Sequence, residues 1–141
     1  MLLAALRRGD LELALSTFEH NEVDMQATAL LSDPMVAVCP RGHPLAGAVA
    51  LTWRELLDQP LLLLREGSGL RALVDRCFES LGVQPRPAQQ VTHVATAMAM
   101  AASGMGVAIL PAYALRVSNF GNLVGVALTE PALSREISLV H

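Results

Sequence analysis

Lysine is absent: all ten cationic residues of the 141 are arginine, against thirteen Asp and Glu. We read the arginine-only usage as a compositional habit with no mechanism behind it. The net charge of −3 and a pI near 5.7 argue against a nucleic-acid surface, which needs clustered positive charge. Cysteine is scarce. Cys39 and Cys77 stand far apart without metal or redox spacing, and the reading is two reduced core thiols in a cytosolic protein. No apolar run approaches the length of a membrane span. The opening MLLAALRRGD puts its charges after the apolar run, the reverse of a signal peptide. Catalytic signatures are missing as well. His20, His43, His93 and His141 have no metal-ligand spacing, and Ser16, Ser32, Ser68 and Ser103 have no nucleophile-elbow context. SGMGVA holds Gly-x-Gly, but it lacks the third glycine and runs into a strand, so it fails as a dinucleotide fingerprint. No acid–base pair can be assembled, so we expect no enzyme, no cofactor and no metal.

What is present is apolar pattern. Apolar residues make up 52% of the chain, enough for a packed core. The stretch Val91 to Pro111, VTHVATAMAMAASGMGVAILP, organises the rest. Thr92 is suited to cap a helix start. His93 to Ser103 is apolar on every face, which predicts a buried helix. Gly104 supplies the left-handed stop and Gly106 a second break. Val107–Leu110 is a buried strand by its bounds and its β-branched content. Pro111 suits the first position of a following helix, AYALR.

In chain order, Leu2–Arg8 has helical spacing with Gly9 as its stop, and Leu11 to Ser16 alternates as a strand. Phe18–Met25 is polar loop. Ala27–Leu31 and Met35–Cys39 are two further strands. Pro40–Ala48 is Gly/Pro-rich loop, with His43 in a structural role. Thr52 and Glu55 form a capping box opening a short helix through Leu57. Leu61–Leu64 is a buried strand. Leu70, Leu73, Val74, Cys77, Phe78 and Leu81 follow at i, i+3, i+4, i+7, i+8 and i+11, an amphipathic helix ended by Gly82. Gln89–Val91, Leu123–Leu128 and Ile137–Val140 complete the strands. Alternating strands and helices give an α/β fold with a largely parallel central sheet.

Two strand-to-helix junctions are the best functional signal. REGSGLR places Gly67, Ser68 and Gly69 at a helix start, where free N–H groups and the helix dipole favour an anion by ~0.3–1 kcal/mol. Thr92 and Thr96 lie one turn apart at the second helix start, with His93 between them. Two such junctions can flank one small carboxylate-bearing ligand. Plain N-capping is the competing reading of each.

The strings DPMVAVCPRGHPLAG, LTWRELLDQPLLLL, REGSGLRALVDRCFESLGVQP and VATAMAMAASGMGVAILPAYAL, in that order and spacing, resemble the effector-binding region of LysR-type transcriptional regulators. GDLELALS resembles the family's leading G-x-L-D-L-A-I strand. The resemblance implies a two-lobed, periplasmic-binding-protein-like (type 2) fold with a small-molecule inducer between the lobes. It places residues 1–33 as a remnant of the first lobe and residues 34–141 as the second lobe, with Glu136–His141 starting the return crossover. By the same likeness, Ser68, Gly69 and Thr92 match effector-carboxylate positions, and Ser16 and Thr17 face the same cleft from the first lobe. His93 departs from the family pattern in a way that suits a polar or anionic effector. The family's winged helix-turn-helix and linker helix have no counterpart here, so this stretch is expected to make no direct DNA contact. Its parent is expected to be cytoplasmic, off the membrane, and a dimer or tetramer. Family effector domains pair lobe one against lobe two, so we expect exposed apolar surface near residues 1–33 and weak self-association. The alternative is a lobe of a solute-binding protein for a small carboxylate. The HPLAG string and the missing signal peptide favour the regulator.

Overall fold

The computed structural model describes residues 2–16 and 26–141. In chain order these form α1 (Leu2–Arg7), β1 (Ala14–Ser16), β2 (Ala27–Pro40), β3 (Ala50–Thr52), α2 (Trp53–Leu56), β4 (Leu61–Leu64) and α3 (Gly69–Ser80). There follow β5 (Gln89–Val91), α4 (Val94–Ala102), β6 (Val107–Pro111), α5 (Tyr113–Arg116), β7 (Leu123–Thr129) and β8 (Ser134–Val140). The chain divides into two units, Met1–Asp33 with Arg135–His141, and Pro34–Ser134.

In the larger unit the sheet runs β3-β7-β2-β6-β4-β5. β4 pairs parallel with both β5 and β6, and β3 parallel with β7, while β2 is antiparallel to both β6 and β7. Five strands therefore share one direction and β2 opposes them, in line with the mostly parallel α/β sheet read from the sequence. Both faces of this sheet are covered. Leu61 and Leu63 of β4 join one apolar cluster and Leu62 and Leu64 the other. β2 divides the same way, Met35, Ala37 and Cys39 against Val36 and Val38, and so does β6. Strands buried on both faces need apolar residues at every position, which is why LLLL and VAIL show no alternation. Each leucine so buried contributes about 1.5–3 kcal/mol.

Helices fit the two faces. On the first, Trp53 and Phe78 are fully buried and meet edge-to-face, with centroids 5.2 Å apart. Trp53 Nε1 also donates to the Pro131 carbonyl at 2.7 Å, so the indole has its polar partner. The Thr52–Glu55 capping box forms as expected, each side chain accepting from the other's backbone amide at 3.2 Å. On α3, Val74, Cys77 and Phe78 are buried, but Leu70 and Leu73 are only half-buried. The remaining buried position is Arg71, whose guanidinium takes the place nearest β4 by reaching the Leu64 carbonyl. On α4 only Ala97, Met98 and Ala101 are buried. The sequence predicted burial all round. The helix instead rests one face on the sheet and leaves Ala95, Thr96 and Ala99 to solvent, where small side chains expose little apolar area.

Several boundaries move. Ala27–Leu31 and Met35–Cys39 are one continuous strand that passes through Pro34, whose carbonyl still accepts from Ala112 at 2.8 Å. β3 was not anticipated; it forms by pairing with β7. Pro111 is the last residue of β6, paired with Met35, and not the first of α5. At a strand end its missing N–H costs no interior ladder bond. Gly106 sits where a Cβ would lie 2.4 Å from the Pro60 carbonyl oxygen, so its role is close approach.

In the smaller unit, β1 pairs antiparallel with β8, and β8 neighbours β2. Only Ala14–Ser16 of the expected Leu11–Ser16 strand pairs, and its alternation is inverted: Ala14 is buried and Leu15 is 60% exposed. Leu2, Leu11, Leu13, Leu30 and Leu31 are exposed too, the apolar surface expected near residues 1–33. Asp33, nearly fully buried, is paired with Arg135 at 3.2 Å. The loop read at 18–25 lies outside the described residues.

Two expectations follow from this core. Phe78→Ala should lower stability by about 3–5 kcal/mol in urea denaturation, since the ring is fully enclosed. Cys39 and Cys77 are free and buried, and burial raises both thiol pKa values above the ordinary 9.0. Both should therefore resist a thiol-specific reagent at pH 8 until the chain unfolds. The unfolded chain ionises first, so stability should fall as pH rises past about 9. Stoichiometric labelling of the native chain would contradict the buried assignment.

Candidate functional site

The chain passes from β4 through α3 to β5, then back through α4 to β6 on the other side of β4. Both connections join parallel strands, and right-handed crossovers running in opposite directions must use opposite faces of the sheet. The packing agrees: α3 buries Val74, Cys77 and Phe78 in one cluster, and α4 buries Ala97, Met98 and Ala101 in the other. The two helices thus leave adjacent strand ends and diverge. Such a reversal opens a crevice outside the carboxyl ends of the strands, the usual place for a ligand in an α/β sheet. Its floor is fixed by register. Leu64 pairs with Val91, and the Arg65 amide donates to the Val91 carbonyl at 2.9 Å.

The β4–α3 side is a tight turn, Arg65 to Ser68, closed by the Ser68 amide on the Arg65 carbonyl at 3.3 Å. Gly67 has φ +95°, the left-handed geometry that the third residue of a type II turn requires. Ser68 is the N-cap of α3; its hydroxyl accepts from the Arg71 amide at 3.4 Å. Gly69 opens the helix with nothing within 4 Å of where a Cβ would be, as at Gly67. A ligand atom can therefore approach this backbone freely.

The β5–α4 side differs from the sequence reading. The N-cap is His93 and not Thr92, in extended conformation (φ −120°, ψ 141°), with no side-chain capping bond. Thr92 stands one residue before the cap because β5 extends through Val91 and the chain needs two residues to turn into the helix. Thr92, His93 and Thr96 are all exposed. An uncapped helix start keeps its N–H donors and its partial positive charge for an outside partner.

The structure thus brings Gly67, Ser68, Gly69, Thr92, His93 and Thr96 to neighbouring junctions in one unit. Ser16 ends β1 in the other unit, and Thr17 lies outside the described residues. His43 is structural, its Nδ1 accepting the Leu45 amide at 3.0 Å.

Sequence reasoning missed Arg71 and Gln90. Arg71 is 5% exposed, and its guanidinium donates to Asp75 Oδ1 (2.8 Å), the Leu64 carbonyl (2.9 Å) and Gln90 Oε1 (2.8 Å). The signal was available: 71, 74 and 78 follow the same i, i+3, i+7 spacing as the buried apolar residues, which puts an arginine on the inward face.

A groove of about 450 Å³ lies between α4 and α5, lined by Val94, Ala95, Met98, Ala114, Val117 and Phe120, with Ser118 and Asn119 beside them. It is largely apolar and lacks the convergent polar groups that orient a small ligand, so the crevice is the better candidate. Among the described residues no group of three His, Cys, Asp or Glu could hold a metal, and no helix is long and apolar enough to cross a membrane.

The chain is similar to known proteins. A probable hydrogen peroxide-inducible genes activator of Mycobacterium avium is 35% identical over 142 residues, 99% of this chain and 45% of that protein. The chain thus spans about half the length of the curated relatives it matches. The regulatory domain of CcmR from Synechocystis PCC6803, solved in complex with 2-PG, superposes with a TM-score of 0.86 at 22% identity, covering 99% of this chain and 68% of that one. The effector-binding domain of QuiR in complex with shikimate gives 0.82 at 23% identity, covering 99% and 66%. These two likenesses show the fold, α/β and of the LysR effector-binding type. The LysR substrate binding domain model matches residues 1–141, and the chain belongs to that family.

Proposed function

We propose that this chain is the effector-sensing part of a LysR-type transcriptional regulator and that it binds a small carboxylate at the crevice beyond β4 and β5. The observation that carries the reading is the divergence of α3 and α4 from adjacent parallel strands, with an uncapped helix start on one side and an open glycine turn on the other. A carboxylate there receives backbone N–H donors and hydroxyls from Ser68, Thr92 and Thr96, with His93 at the rim. The shikimate bound by QuiR is a small carboxylate and supports that ligand class.

In this reading residues 1–33 are part of the first lobe, and residues 34–141 carry the second with the start of the crossover back to the first. The parent is a cytoplasmic dimer or tetramer, DNA contact belongs to a helix-turn-helix elsewhere in it, and the chain performs no chemistry on its ligand. A ligand held by the second-lobe crevice alone is solvated on one side. Its affinity is then modest, about −4 kcal/mol or near-millimolar, and weakens with salt.

A thermal-shift screen of small carboxylates, shikimate and benzoate included, tests this, followed by titration of the variants. Thr92→Ala should weaken binding by ~0.5–1.5 kcal/mol and leave the melting temperature unchanged, because Thr92 is not the helix cap. Ser68→Ala should lower stability by about 1 kcal/mol through the lost cap of α3, as well as weakening the ligand. If Thr92→Ala lowers the melting temperature and spares affinity, the threonine is structural and the site is elsewhere. Sequence-specific DNA binding by these 141 residues would overturn the reading outright.

A further inference from the structure

We propose that Arg71 is the positioning residue of the crevice, clamping the β4–α3 junction to the β5–α4 junction so that both helix starts address one ligand. This rests on the effector-site reading above and adds to it the part that sets the geometry.

One guanidinium reaches both strands, β4 and β5, and the turn between β4 and α3. Nη1 donates at once to the carbonyl of Leu64, the last residue of β4, and to Oε1 of Gln90, two residues before Thr92. Nε donates to Asp75 one turn along α3, and the Glu66 carboxylate in the turn lies 3.7 Å from Nη2. The backbone amide of the same residue is the one that Ser68 caps. The strand end, the glycine turn, the first turns of α3 and strand β5 are therefore tied through one side chain.

Two features separate this from ordinary packing. Buried charge networks add little net stability, because desolvation offsets their attraction, so geometry is what the network secures. The positive charge is also committed: with Asp75 and Glu66 against it, Arg71 holds the frame while the ligand meets the backbone donors of α3 and α4. These acceptors are met from three nitrogens spread over a planar fork; a lysine keeps the charge, but its single nitrogen cannot span them all.

Amide hydrogen exchange on the 141-residue chain tests the clamp without any ligand. The reporters are the Arg65 amide bonded to Val91, the Ala72 amide bonded to Ser68, and the Ala97 amide bonded to His93. Arg71→Lys should speed exchange at all three by about tenfold and leave the amides of β2 and β6 unchanged. Gln90→Leu should speed Ala97 and spare Ala72, and it keeps the test decisive if an Arg71 variant unfolds. Acceleration confined to α3, or spread evenly through the sheet, would overturn the clamp. Sodium acetate, titrated against sodium chloride while amide shifts are followed, adds the ligand arm. In the wild type the amides at 68–69 and 93–95 should shift with one dissociation constant, and in Arg71→Lys the two sets should diverge at least threefold. If acetate shifts neither set in the wild type, the effector-site reading fails while the exchange result still decides the clamp.

Discussion

Four consecutive leucines, Leu61 to Leu64, alternate between two apolar clusters, and the rest of the larger unit depends on that division. A strand hidden on both faces requires cover on both faces. Helices must then pack above and below the sheet, and right-handed crossovers to β5 and β6 send α3 and α4 to opposite sides. The crevice at the strand ends is a consequence of that core. What the residues there add is chemistry: a turn that only glycine closes at φ +95°, and a helix whose cap position makes no side-chain bond.

Stability and recognition are carried by different atoms. The fold is held by Trp53, Phe78 and the paired strand faces, all sealed from solvent. The candidate site is made of the exposed hydroxyls of Thr92 and Thr96, backbone amides, and the half-buried Ser68, the one site side chain that also serves the frame by capping α3. This separation lets the site residues vary with ligand while the frame stays. The buried thiols fit the same division, since Cys39 and Cys77 both belong to the core cluster and neither borders the crevice.

Much of this was legible in the sequence. Unalternating apolar runs named β4 and β6, the 3.6-residue spacing named α3, and Thr52 with Glu55 fixed the start of α2 to the residue. The failures have physical causes. Whether α4 is enclosed or half-exposed depends on tertiary layering, because alanine is tolerated in either setting. The cap of α4 moved from Thr92 to His93 because strand length, not capping propensity, decided where the helix could begin. β1 shortened, with its one leucine, Leu15, exposed, because pairing with β8 set its register. The apolar spacing that named α3 passed over Arg71, although its own spacing with Val74 and Phe78 points inward.

The account's central claim is the place where a carboxylate sits. A crystal structure of the chain with a bound carboxylate ligand measures it directly. The account predicts carboxylate oxygens about 2.7–3.2 Å from backbone amides at the starts of α3 and α4, with Thr92 in contact and Arg71 still bonded to Leu64 and Gln90. A ligand seated instead in the apolar groove between α4 and α5, with the two helix starts untouched, would contradict it.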